Sequence, residues 1–265
     1  MKLTLVKMTA RRAGLAMLAV GLTLAFAGCK DKSEPAPATG SDYYPIAVGN
    51  YWVYAVNDTI YSPVGGSGAN FTPSVATPTA YQFKETITEV FTDAAGQPAY
   101  RLVRSKLVSP ATTFRDDSVF VLSATPQFVA LNRNNVRTLG LIFPVRDGRS
   151  WNLNAFNNNF NDTITAETRQ YSRVGKPFII MDGMVAKTYS NTVTTTNTGA
   201  AIENSLIKRL GYQQVFAKGV GPVFRRRFYF VNYNYPDATG NQVYPPGAYT
   251  SAVTRSETLI SYGTR

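Results

Sequence analysis

Tyr81-Gln82-Phe83-Lys84-Glu85-Thr86-Ile87-Thr88-Glu89-Val90-Phe91-Thr92, then Asp93-Ala94-Ala95-Gly96, then Tyr100-Arg101-Leu102-Val103-Arg104-Ser105-Lys106-Leu107-Val108, is the stretch whose reading decides the fold. In an extended chain successive side chains point to opposite faces, so Tyr81, Phe83, Ile87 and Phe91 fall on one side at period two. Asp93 to Gly96 has the composition of a tight loop, and an apolar, β-branched run follows it at once. The segment predicts two antiparallel strands joined by a hairpin.

The same pattern recurs along the chain. Gly49-Asn50 is a turn signal before an aromatic strand at 51–56. Residues 62–79 hold three prolines and three glycines and predict a long loop. Further strands are predicted at 118–123, 128–131, 138–143, 163–171, 178–181, 185–196, 205–210, 213–216, 223–233 and 252–262, with one short helical turn at 200–204. No stretch after the first 28 residues carries a sustained 3.6-residue period with caps. The expected class is therefore all-β, its strands paired antiparallel because no crossover helices separate them. Trp52, Trp151, Tyr51, Phe83, Ile87, Phe143, Phe228 and Phe230 are the expected core.

Composition narrows the chemistry. The 265-residue chain has no histidine and one cysteine. Ser-His-Asp triads, histidine bases, histidine-ligated metals, zinc clusters and internal disulfides are thereby excluded. Carboxylates, tyrosines or a Ser-Lys pair are what remain. No metal or other cofactor is expected.

The first 28 residues read as a targeting segment. Lys2, Lys7, Arg11 and Arg12 precede an apolar run from Ala13 to Ala27, which ends in Gly28-Cys29. The run is shorter than the roughly 20 residues a spanning helix needs. This segment resembles a bacterial lipoprotein signal. The resemblance implies cleavage before Cys29, lipidation of its thiol by a diacylglycerol, acylation of the new amino terminus, and anchoring to a membrane. Residues 29–41 then read as a flexible tether, rich in charge, proline and small residues, and 42–265 as the folded domain. With four of its 27 basic residues removed and all 16 acids kept, the remainder carries a net charge of about +7.

Landmarks along the domain, Tyr43-Tyr44-Pro45 with Val48-Gly49-Asn50-Tyr51-Trp52-Val53-Tyr54, Ile142-Phe143-Pro144 with Gly148-Arg149-Ser150-Trp151-Asn152, Gly219-Val220-Gly221 and Leu259-Ile260-Ser261-Tyr262-Gly263, resemble those of uncharacterised Bacteroidota lipoproteins. A looser resemblance, to secreted lipoprotein-carrier-like domains, implies a curved antiparallel sheet or half-barrel; a β-sandwich is the alternative. Both resemblances imply the cell envelope, with the outer membrane as the expected location. Neither brings catalytic residues.

Motif by motif, catalysis finds little support. Gly219-Val220-Gly221 lacks the helix a phosphate loop needs. Ser205-Leu206-Ile207-Lys208 spells S-x-x-K, which requires a helix, and the later K-T-G is absent. Glu85 and Glu89 share a strand face but stand about 13–14 Å apart, too far for a glycosidase pair. Asn152, Asn154, Asn157, Asn158, Asn159, Asn161 and Asp162 crowd one loop, which with a single carboxylate predicts a self-bonded turn rather than a calcium site.

Arg225-Arg226-Arg227 is the densest basic run, and alternation places Arg225, Arg227 and Tyr229 on one face. These three are the expected ligand-binding residues, and their partner an anionic glycan or lipid headgroup; nucleic acid is not expected outside the cytoplasm. The expected function is a lipid-anchored cell-envelope binding or structural module without catalysis. The alternatives are a carrier of lipid or lipoprotein in a half-barrel hollow and a carboxylate-based glycoside hydrolase.

Overall fold

The structure, a computed structural model, describes residues 39–157, 167–182, 185–198 and 204–264. Cys29, the signal segment and the tether up to residue 38 lie outside these residues, as do Asn158, Asn159, Asn161 and Asp162 of the asparagine loop and most of the helical turn expected at 200–204. The described chain from Thr39 forms one compact unit.

In chain order the strands are β1 (Asn50–Tyr61), β2 (Ala76–Thr92), β3 (Pro98–Leu107), β4 (Arg115–Ala124), β5 (Phe128–Arg133), β6 (Val136–Ile142), β7 (Ser150–Asn152), β8 (Thr168–Asp182), β9 (Val185–Asn197), β10 (Lys208–Ala217), β11 (Gly221–Asn232), β12 (Tyr235–Pro236), β13 (Gln242–Val243) and β14 (Tyr249–Thr264). Twelve of them form one antiparallel sheet in the order β6-β5-β4-β3-β2-β1-β14-β11-β10-β9-β8-β7, while β12 and β13 make a small separate ribbon. The large sheet curls into a nearly closed barrel with one seam, as the all-β, half-barrel expectation requires.

The seam lies between β6 and β7–β8, where side chains take over the role of a strand partner. Tyr171 Oη donates to the Ile142 carbonyl and accepts from the Ile142 amide, each at 2.8 Å. Trp151 Nε1 donates to the Leu139 carbonyl at 2.9 Å, and the Leu139 amide donates to the Leu153 carbonyl at 2.8 Å. Asn157 clasps both backbone groups of Arg137. Every backbone group so bonded at the β6 edge would otherwise be unpaired and partly buried.

Strands pair antiparallel, as expected, and the register corrects several details. Phe83, Glu85 and Ile87 alternate inward on β2, but a bulge at Thr88 breaks the parity, so Glu89 pairs with Arg101 at the surface and does not share a face with Glu85. The loop expected at 62–79 ends early, because Ala76 to Thr79 pair with β1 through backbone groups that leave no hydrophobic pattern. Residues 163–166 of the strand expected at 163–171 lie outside the described residues, and the rest of it, from Thr168, merges with the strand expected at 178–181 into β8, which kinks where Arg173 and Gly175 take positive φ.

Trp52, Trp151, Phe83, Ile87 and Phe143 are buried as expected, whereas Tyr51, Phe228 and Phe230 are half-exposed on the outer face. Thr39 to Ser41, expected in the tether, already belong to the fold: the Val145 amide donates to the Thr39 carbonyl, Gly40 packs against the Val145 side chain, and Ser41–Tyr43 form a 3-10 turn. From there Tyr44 folds over Trp52 and Phe216, with ring centroids 5.8 and 5.9 Å away.

Candidate functional site: an arginine-lined barrel cavity

The inward parity that carries Val223 and Tyr54 into the core also carries charged residues. Along β11 the next inward positions are Arg225 and Arg227; the register sets Arg225 beside Glu257 of β14, and Arg227 beside Arg255. Asp58 of β1 pairs with Arg255 on the other side. Arg104 enters from β3 opposite Glu85. A cavity of about 210 Å³ opens over this assembly, walled on one side by Leu102, Phe120, Leu122, Val129 and Leu131 and on the other by Tyr212, Gln214 and the arginines.

Most of the charge is internally matched. Arg225 donates from Nη1 to Glu85 Oε1 and Glu257 Oε2, and from Nη2 to Glu85 Oε2, all at 2.9 Å. Arg104 donates to Glu85 Oε1 from Nε at 3.1 Å and from Nη2 at 2.5 Å. Its guanidinium lies between the Phe83 and Phe120 rings, and that of Arg225 lies over Tyr54. Arg255 donates to Asp58 Oδ2, which also accepts from Tyr81 Oη. Such a network forms in a low-dielectric interior only when nearly every donor finds an acceptor.

Electrostatics follow the geometry. Burial pushes the Glu85 carboxyl up, but Arg225 and Arg104 outweigh it and hold it at about 2. Arg225 is disfavoured by burial, yet Glu85 above all lifts it well above its ordinary value. Arg227 is shifted the other way, by burial first and then by its neighbour Arg255.

Two arginines are left over at the mouth. Among the described residues neither Arg133 nor Arg227 has a carboxylate within salt-bridge distance. Arg133 rests over the Phe120 ring at 5.4 Å, and its charge reaches Arg227. Among the described residues, five arginines of inward parity, Arg104, Arg133, Arg225, Arg227 and Arg255, thus face three carboxylates, Glu85, Glu257 and Asp58, while Arg226, of outward parity, also borders the cavity. Two positive charges are unbalanced beside an apolar wall.

Of the three residues that the sequence singles out, Arg225 is committed to the ion-pair network, Arg227 stands at the mouth, and Tyr229 lies farther along the same face, 36% exposed with Lys208 over its ring. Arg133 was not singled out. Its signal is an arginine two residues beyond Leu131, at the inward parity of a strand end. The Ser205-to-Lys208 motif is a turn: the Ser205 amide donates to the Lys208 carbonyl, and the Lys208 amide donates to Ser205 Oγ. Gly219 and Gly221 both take positive φ, and a Cβ on Gly221 would meet Trp52 Nε1 at 2.9 Å. Of the asparagine loop, Asn152 Oδ1 accepts from the Asn154 and Glu167 amides, the backbone-satisfying role expected of it. Among the described residues no group of three acidic or cysteine side chains is placed to hold a metal.

No family model matches the chain, and no curated protein matches it. The sequence landmarks have packing roles. Trp52 Nε1 donates to the Val220 carbonyl at 2.6 Å across the Gly221 turn, and Phe143 and Trp151 close the seam end.

Proposed function

We propose that the protein is a lipid-anchored binding protein of the cell envelope that takes the anionic head of a small amphiphile at Arg133 and Arg227 and the apolar body against Leu102, Phe120 and Leu131. The observation that carries this reading is the pair of guanidiniums without carboxylate partners beside the apolar wall of one cavity. A planar guanidinium binds carboxylate, sulfate or phosphate through paired N–H groups. An apolar cavity of about 150 Å³ already accommodates benzene, so 210 Å³ suits a single ring or a short chain. Anchoring through Cys29 rests on the amino-terminal sequence pattern.

The hydrolase alternative has two carboxylates in the same cavity, since Glu85 and Glu257 accept from one nitrogen of Arg225. A general acid must carry a proton at working pH. Glu85, held at about 2, does not, and both carboxylates lie beneath arginines. The geometry therefore favours binding.

Isothermal titration of the purified protein with octanoate and with octanol tests the reading. Octanoate should bind and octanol should not, affinity should fall as salt rises, and Arg133→Gln/Arg227→Gln should weaken octanoate at least tenfold. Equal binding of both probes, or no change in the double variant, contradicts it.

A further inference from the structure

The outer face of the same strands carries a second constellation, which shares only Arg226 and Arg255 with the lining of the cavity. On β11 the outward parity reads Phe224, Arg226, Phe228, Phe230, so aromatic and cationic side chains alternate along one strand. With Tyr61 of β1 and Arg209 of β10 they line a groove of about 710 Å³. That volume falls within the range of ligand clefts.

Three features give the groove a specific chemistry. Its rings are fixed in place: Phe228 lies against the β10 backbone at Gly211, where a Cβ would come within 2.3 Å of the ring, and Phe230 is wedged among Phe228, Tyr61 and Tyr249 with centroids 6.1, 5.8 and 5.1 Å away. Its charge has one sign: the lining holds Arg209 and Arg226 and no acid, Arg255 bordering it while its guanidinium turns inward to Asp58, and among the described residues neither Arg209 nor Arg226 has an ion-pair partner. Its floor is polar, supplied by Asn57, Thr59, Thr254 and Ser256.

We propose that this outer groove binds an extended acidic polysaccharide. Sugar rings present C–H faces that stack on fixed aromatic rings, ring hydroxyls match the amide and hydroxyl floor, and uronate carboxylates pair with Arg226 and Arg209. Arg226 stands about 7 Å from its aromatic neighbours on the strand, so a chain lying along β11 meets ring, charge and ring in turn. A planar membrane would need protruding apolar groups rather than a concavity with a hydroxyl floor.

Affinity electrophoresis of the full protein through gels holding polygalacturonate, or its fully methyl-esterified neutral form, tests this. Polygalacturonate should retard the wild type and the ester should not. Arg209→Gln/Arg226→Gln should reduce retardation at least tenfold with an unchanged circular dichroism spectrum, and Arg209→Gln alone, which lies away from the cavity lining, should reduce it while octanoate binding is unchanged, which separates loss of the groove from loss of fold and from failure of the cavity reading. Phe228→Ala should reduce it similarly with an unchanged circular dichroism spectrum. Absence of retardation in the wild type, equal retardation by the ester, or unchanged retardation in the arginine variant overturns the proposal. So does sedimentation with phosphatidylglycerol vesicles, lost in the arginine variant, in place of polygalacturonate binding.

Discussion

Replacing Glu85 by glutamine removes the one carboxylate that two buried arginines share, while keeping nearly its shape. Arg225 loses charge-assisted bonds to both oxygens and Arg104 loses its bonds to one, and both guanidiniums stay where water cannot fully replace the lost partner. Breaking a buried ion pair from one side costs about 3–5 kcal/mol. The titration gives a second, independent figure. A carboxyl held at about 2 in the folded state against an ordinary 4.5 contributes about 3 kcal/mol of stability. Because the folded value is the lower one, that contribution is complete above about pH 4.5 and is lost as pH falls toward 2. Urea unfolding of wild type and variant across pH 7 to pH 2 should show the variant about 3–5 kcal/mol less stable at pH 7. The gap should close through the window from 4.5 to 2, since protonated glutamate and glutamine are near equivalents. A gap below about 1 kcal/mol at pH 7, or one that does not change with pH, refutes the account of the network.

Three further outcomes follow. Tyr171→Phe leaves the Ile142 amide and carbonyl unpaired at the seam and should cost about 1–3 kcal/mol in the same urea assay. Arg227→Gln removes a charge that faces Arg255 and has no acid partner, so stability should stay within about 0.5 kcal/mol of wild type while octanoate binding drops. Cys29→Ala should abolish membrane partition in cell fractionation while secretion persists; unchanged membrane retention would count against the anchor.

Local pattern made the architecture legible, and only local pattern. Alternation in Tyr81 to Thr92 and the Asp93-to-Gly96 loop specify a hairpin because both signals lie within one stretch of chain. The bulge at Thr88 carries no such mark, and with it went the supposed shared face of Glu85 and Glu89. The Glu85-Arg225 contact joins residues 140 positions apart, a distance over which no periodicity speaks. Alternation correctly set Arg225 and Arg227 on one face, yet that face turned out to be the inside of a barrel, where the register with Glu257 consumes one arginine and leaves the other. Phe228 and Phe230 looked like core for the same reason in reverse: aromatic content does not say which face of a sheet is the interior. Arg133 escaped notice because a lone arginine at a strand end resembles any solvated terminus until the strand opposite brings Phe120 beneath it.

The central claim is that the cavity holds an amphiphilic anion head-first against Arg133 and Arg227, and a crystal structure of the protein with octanoate tests it most directly. The carboxylate should lie within hydrogen-bond distance of both guanidiniums, with the chain along Leu102, Phe120 and Leu131 and the Glu85-Arg225-Glu257 network undisturbed. An empty cavity at saturating octanoate, or octanoate bound with its carboxylate away from both arginines, would contradict it.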